Sequence, residues 1–301
     1  MPQIPFRFAA LGANGQASLL MTLSMATFAT NDMLTKLATQ SIEPVQIMAV
    51  RGVMASLLLF LFAKWRRAPL SFGVLREPSV LVRAFADICT TLSYLNALQH
   101  LPLANTSAIF QALPLTITLG AFLFLGEKIG WRRWAAVAVG FVGVLIILAP
   151  GAEGFNLYGL WVLASVVFAA MRDLATRKMP PGLSSPQIAL VTSVAVTLTG
   201  FTFLPVVGWQ PISGSVWVVL VCASVTLACG YALIVAAVRT GEMSVVAPFR
   251  YTILLFSILL GIVAFGERPT MRETFGSLIV VGSGLYTLHR ETRKRPAAPV
   301  A

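Results

Sequence analysis

Eight charged side chains lie inside stretches that are otherwise apolar, and they are the residues with the most chemistry to offer. They are Asp32, Lys36, Arg51, Arg83, Asp87, Arg172, Asp173 and Arg250. A charge deep in a bilayer is costly, so it is normally paired or faces a wet cavity. At about 1.5 Å per residue of helix, Asp32 and Arg51 fall roughly 5 Å to one side of the middle of their stretches. Lys36 follows Asp32 by one turn and lies further out. Arg83 and Asp87 lie on the other side of the middle, at a depth shared by Arg172, Asp173 and Arg250. Two charged layers thus flank an apolar middle.

Such layers have two uses. They can bind a charged or zwitterionic solute, or form ion pairs that part as one side opens. They can also be fixed interhelix pairs, or arginines snorkelling to the surface. Depth favours the structural use for Arg83, Arg172 and Asp173, and the functional use for Asp32, Arg51 and Arg250. Asp32 and Asp87 are the carboxylates that could carry a coupled proton, and uncoupled movement fits equally well.

Uncharged polar groups extend the set. Asn31, Tyr94, Gln111 and Tyr251 join Asp32, Lys36, Arg51, Asp87 and Arg250 as candidate substrate-binding or gating residues. Gln46, Asn96 and Tyr231 also interrupt apolar runs. An amide and aromatic lining suits an organic metabolite better than a bare ion. No catalytic residue, metal ligand or cofactor site is expected. Cys89, Cys222 and Cys229 form no CxxC pair, and the only histidines, His100 and His289, sit at the ends of apolar runs with no HExxH motif. An intramembrane enzyme would need a nucleophile–base pair or a metal set. A passive scaffold would not need buried charge.

The elements that must position these groups are membrane helices. Hydrophobic residues make up 57% of the chain and charged residues 11%, against roughly 25% charge in a soluble domain. A spanning helix takes about 20 mostly apolar residues. Ten stretches qualify, roughly 18–39, 45–63, 80–99, 103–125, 134–149, 158–178, 187–207, 215–238, 244–266 and 272–288. The expected fold is an all-α polytopic membrane protein of ten transmembrane helices. The first stretch is too long for a signal core and carries Asn31, Asp32 and Lys36, so it is expected to remain as a helix.

The chain also repeats itself about 140 residues on. Leu125-Gly126-Glu127-Lys128 returns as Phe265-Gly266-Glu267-Arg268, and Phe28-Ala29 with Leu34 returns as Phe168-Ala169 with Leu174. The runs 103–124 and 131–148 return as 243–264 and 271–288. Gln111 and Tyr251 are equivalent positions, as are Phe110 and Arg250. Five spans per copy is an odd number, so the second copy must enter the membrane inverted. The expected division is a cytoplasmic N-terminal segment 1–16, a first five-helix repeat 17–150, an inverted second repeat 155–290 and a basic cytoplasmic tail 291–301.

The net charge of +11 does not point to nucleic acid. With the N-terminus inside, 17 of the 22 Lys and Arg residues fall on the cytoplasmic side, as the positive-inside rule requires. Both termini are therefore expected in the cytoplasm, and the location is the inner (plasma) membrane. Small residues stripe two helices, Ala136, Gly140 and Gly143 on one and Gly276, Ser277, Gly282, Ser283 and Gly284 on its echo. They suit close packing of the two or a homodimer contact. Pro114 and Pro248 should bend their helices. Glu127 and Glu267 are expected to cap helix ends and pair with their neighbours Lys128 and Arg268.

Taken together, the ten spans, the inverted duplication, the paired Gly-Glu-Lys and Gly-Glu-Arg helix ends, Asn31-Asp32 with Lys36, and Ala247-Pro248-Phe249-Arg250-Tyr251 resemble the EamA family of the drug/metabolite transporter superfamily. The resemblance covers residues 15–290. It implies a carrier of small organic solutes such as amino acids, nucleosides, vitamins or amines, working by alternating access. It also implies a central cavity between the first four helices of each repeat, with the fifth and tenth helices at the periphery. The expected partners are a small-molecule substrate and the lipid bilayer. No family-wide ligand motif transfers to single residues here, so the candidate set rests on charge and depth.

Overall fold

The computed structural model describes residues 12–65, 72–127, 130–149, 157–180 and 183–294. Segment 1–11 with Arg7, the residues Arg66, Arg67 and Lys128, and most of the basic tail lie outside the described residues. The described residues form helices and connections, with no strand among them.

In chain order the helices are α1 (Ala13–Thr39), α2 (Pro44–Trp65), α3 (Pro78–His100), α4 (Leu103–Phe110), α5 (Leu113–Leu125) and α6 (Trp131–Leu148). The second half holds α7 (Tyr158–Arg177), α8 (Ser185–Val207), α9 (Gly214–Thr240), α10 (Met243–Val246), α11 (Thr252–Phe265) and α12 (Met271–Lys294). Among the described residues, six helical stretches are long and apolar enough to cross a membrane: Pro44–Trp65, Leu103–Leu125, Tyr158–Arg177, Ser185–Val207, Gly214–Thr240 and Ala247–Phe265. A shorter apolar stretch, Trp134–Leu148, joins them. Large apolar side chains such as Leu57, Phe124, Leu198, Val218, Leu255 and Val263 stand exposed, which in lipid costs nothing.

The most extensive helix pairings all join one half of the chain to the other: α1 with α9, α3 with α7, α2 with α8, and α6 with α12. Each pair is antiparallel. Ser24 bonds to the Gly230 carbonyl while Ala38 packs with Val216 and Leu220. Arg83 meets Thr176 while His100 stacks on Tyr158. Swapping the two halves maps α1·α9 onto α7·α3 and maps the other two pairs onto themselves. That is the signature of an inverted repeat, and α1 and α7 accordingly start at opposite ends of the bundle. The end carrying the start of α1 and the end of α12 is the terminal end; the other is the distal end.

Helix α6 meets α12 through backbone. A Cβ added to Gly276 would sit 2.8 Å from the Gly143 carbonyl oxygen, and one added to Gly143 would sit 2.9 Å from the Gly276 oxygen. The small-residue stripes therefore meet within the chain, as membrane helices do when packing holds them.

The fourth helix of each copy tightens at the same duplicated place. In the first, Gln111 and Ala112 link α4 to α5 with ψ near −7°. In the second, a 3-10 turn, Ala247–Tyr251, links α10 to α11. The prolines explain this: Pro114 and Pro248 bring no N–H, so the carbonyls of Phe110 and Ser244 lose their helical donors. The prolines thus tighten the helix for a turn without taking the chain off its helical path: the Gln111 N–H still reaches the Ser107 carbonyl at 3.2 Å.

Candidate functional site

In the distal half of α1, α2 and α3, four of the sequence candidates form one network. Asp32 accepts from the Tyr94 hydroxyl at 2.7 Å and from the Asn31 amide at 3.0 Å. The Asn31 oxygen accepts from Arg51 Nη2 at 2.6 Å, and Arg51 Nη1 donates to the Thr35 hydroxyl at 3.2 Å. Arg51 and Asp32 thus share a charge-stabilised cluster without touching. Every carboxylate oxygen of Asp32 has a donor, which is how a membrane interior tolerates the charge. Thr35 escapes sequence reasoning because its hydroxyl also satisfies itself on the Asn31 carbonyl, the usual fate of a helical threonine.

Aromatic rings border this network. Tyr94 meets Phe110, at the tightened turn of the fourth helix, edge-on with centroids 5.3 Å apart. Phe28 meets Tyr231 of α9 in the same way at 5.2 Å. Tyr231 is 58% exposed, yet it lies within electrostatic range of Arg51, Arg83, Asp87 and Arg172. Those four charges come from three helices, α2, α3 and α7.

Toward the terminal end lies the second charged layer. Arg172 of α7 donates to Asp87 of α3 at 3.0 Å and to its neighbour Asp173 at 2.9 Å. Arg83 reaches the Thr176 hydroxyl, while its Nε is buried without an acceptor. Arg172 is the positional echo of Asp32, 140 residues on, so the two layers are related by the duplication.

The distal end is tied across the repeats. Lys36 forms a buried ion pair with Glu267 and donates to the Leu101 carbonyl at 2.5 Å. The Glu267 carboxylate also accepts from the Leu103 N–H at 2.7 Å. Asn105 donates to Glu273 at 2.5 Å, and Gln46 and Gln210 exchange bonds at 2.7 and 3.0 Å. The expected pairing of Glu267 with Arg268 is therefore replaced by a partner 231 residues away in sequence. Glu127 likewise turns to Arg177, at 3.5 Å. For Glu267, helix packing supplies a cation from another element in place of the neighbour along the chain.

Three candidates stand apart from the network. Tyr251 is buried, its hydroxyl has no hydrogen-bond partner, and it lies against α12 where a Cβ on Gly284 would strike it. Arg250 is exposed and makes no ion pair among the described residues. Gln111 is half-buried at the tightened turn beside Phe110. Among the described residues no cluster of His, Cys, Asp and Glu is arranged to hold a metal.

The model of the EamA-like transporter family matches the chain twice, over residues 16–149 and 156–288. The chain belongs to that family. It is 33% identical to a riboflavin transporter of Vibrio cholerae over 217 residues, 71% of this chain and 72% of that one. It is 26% identical to a pseudopaline exporter of Pseudomonas aeruginosa over 269 residues, 87% of this chain and 92% of that one. A Rickettsia felis S-adenosylmethionine uptake transporter is 23% identical over 273 residues, 90% and 92% of the two chains. A solved crystal structure at 18% identity superposes with a TM-score of 0.61 over 93% of this chain and 99% of that one, a likeness of fold.

Proposed function

We propose that this chain is a ten-span secondary transporter of a small polar organic metabolite in the inner membrane, working by alternating access between its inverted repeats. One observation carries the reading: Asp32, Asn31, Arg51 and Tyr94 join in one hydrogen-bonded network of opposite charges inside the bundle, within electrostatic range of the Tyr231 ring of α9. Relatives named as carriers of riboflavin, pseudopaline and S-adenosylmethionine support the substrate class. These relatives include both an exporter and an uptake system, and the reading holds for either direction.

In this reading Asn31, Asp32, Arg51 and Tyr94 bind the polar groups of the substrate, while Phe28, Phe110 and Tyr231 contact its apolar part. Asp87 with Arg172 forms the inner wall. Lys36 holds the distal end shut. Arg250 and Gln111 flank the path at the tightened turns, and Tyr251 braces α11 on α12. With both termini cytoplasmic, the distal end is periplasmic. A coupled proton would ride on Asp32 or Asp87, and a homodimer would have to use surface other than the α6–α12 seam.

The test has two stages. A thermal-shift screen of the purified protein against vitamins, amino acids and nucleosides finds the ligand, because a molecule that binds only the folded form raises the melting temperature. Uptake of that ligand, labelled, into liposomes containing the protein then shows transport. A ligand that stabilises the protein but never crosses would overturn the carrier reading.

A further inference from the structure

The duplicated Gly-Glu motifs fold alike and are used differently. Gly126 and Gly266 both end their helices in the left-handed conformation, with φ of 67° and 66°. The next residue closes each helix in the same way: Glu127 N–H bonds to the Ala121 carbonyl at 3.2 Å and Glu267 N–H to the Gly261 carbonyl at 3.1 Å. The left-handed glycine turns the chain back so that the following N–H reaches a free carbonyl of the last helical turn. The two carboxylates thus start from the same scaffold, one at each end of the bundle.

Each then reaches across to the first helix of the other repeat. Glu267, after α11, binds Lys36 near the end of α1; Glu127, after α5, faces Arg177 at the end of α7. Exchanging the repeats carries one pair onto the other within a residue, since Lys36 maps to position 176. Their states differ. Lys36 and Glu267 are 9% and 14% exposed, whereas Arg177 and Glu127 are 54% and 47% exposed and 3.5 Å apart. One latch is shut and its counterpart is slack.

We infer that Glu127–Arg177 is the terminal-end latch of the carrier, and that it tightens as Lys36–Glu267 parts. The inference rests on the alternating-access reading and goes beyond it by naming the pair that holds the opposite state. Both bridges tie the same two repeats at opposite ends, so rocking about the centre that shortens one lengthens the other. A two-state element biased from two sites shows reciprocal coupling. Position 121 sets a difference between the copies. Glu267 folds back over Gly261, where a Cβ would stand 2.6 Å from its carboxylate; Ala121 occupies that space in the first copy. Glu127 is therefore turned outward to Arg177 and forms the more hydrated latch.

The test uses spin-label distances in the full chain, with its native cysteines replaced by serine. One label pair, at Gln40 and Arg268, reports the distal end; another, at Arg132 and Pro180, reports the terminal end. Lys36→Gln should raise the population with a long distal and short terminal distance by about fivefold or more. Adding Glu127→Gln should abolish that gain, whereas Glu127→Gln in the parent chain should change little. Gly261→Ala, which evicts the Glu267 carboxylate without removing charge, gives the same shift should Lys36→Gln not fold. A distal end that opens while the terminal distance stays fixed, or a gain indifferent to Glu127→Gln, overturns the inference. Because no substrate is needed, exchange of distances without any uptake would instead overturn the transporter reading and leave the latch standing.

Discussion

Arg51 and Asp32 are joined through Asn31 and do not touch: the guanidinium holds the Asn31 oxygen at 2.6 Å while the Asn31 amide holds the Asp32 carboxylate at 3.0 Å. One neutral side chain thus orients a cation and an anion.

Asn31→Leu should uncouple the two and lower the uptake rate about tenfold, the size of one charge-assisted hydrogen bond. Arg51→Lys keeps the charge but loses the planar fork that reaches Asn31 and Thr35 together, so it should transport poorly as well. Initial rates in liposomes, normalised to folded protein, check both. Parent-like rates in either variant would remove Arg51 and Asn31 from the binding site.

Lys36 leaves a buried carboxylate behind when it is removed. Lys36→Met should therefore lower stability by about 3–5 kcal/mol. The double change Lys36→Met with Glu267→Gln should recover part of the loss, because no unpaired charge remains. Denaturation of the purified protein reads both. A milder single variant and no recovery would mean the pair is not buried as described.

Tyr251 buries a hydroxyl with no partner against Gly284. Tyr251→Phe should leave stability unchanged or raise it by about 1 kcal/mol, with uptake intact. A large loss of uptake would return Tyr251 to the substrate path.

The seam of α6 and α12 tolerates no side chain at Gly143 or Gly276. Gly276→Leu should destabilise the fold by about 1–3 kcal/mol through overpacking, while residual folded protein binds ligand with unchanged affinity. Melting temperature and ligand titration separate the two effects.

Much of this arrangement is legible before any coordinates. The 140-residue offset, with five expected spans in each copy, implies the inversion, and the charged layers mark where α1, α2, α3 and α7 meet. Helices α1 and α3 are not among the stretches apolar enough to qualify as spans, and they are the ones that contribute Asn31, Asp32, Asp87 and Tyr94. The partners were not legible. Glu267 has a cation beside it in the sequence, but the chain turns at Gly266 and points its carboxylate at Lys36. Equivalent positions also diverge: Gln111 and Tyr251 share an offset, yet Gln111 sits at a simple turn and Tyr251 at a 3-10 segment that leans on α12. Sequence symmetry predicts the same backbone scaffold in both copies. It does not predict the same contacts, because different side chains surround the two copies: Gly261 stands where the first copy has Ala121.

The central claim is a hydrated passage between the repeats that includes Tyr231. In a chain with Cys89, Cys222 and Cys229 replaced by serine, Tyr231→Cys should react with a charged, membrane-impermeant thiol reagent applied from the terminal end, and a bound ligand should protect it. Reaction only with a lipid-soluble reagent, or none from either side, would contradict the passage and the carrier with it.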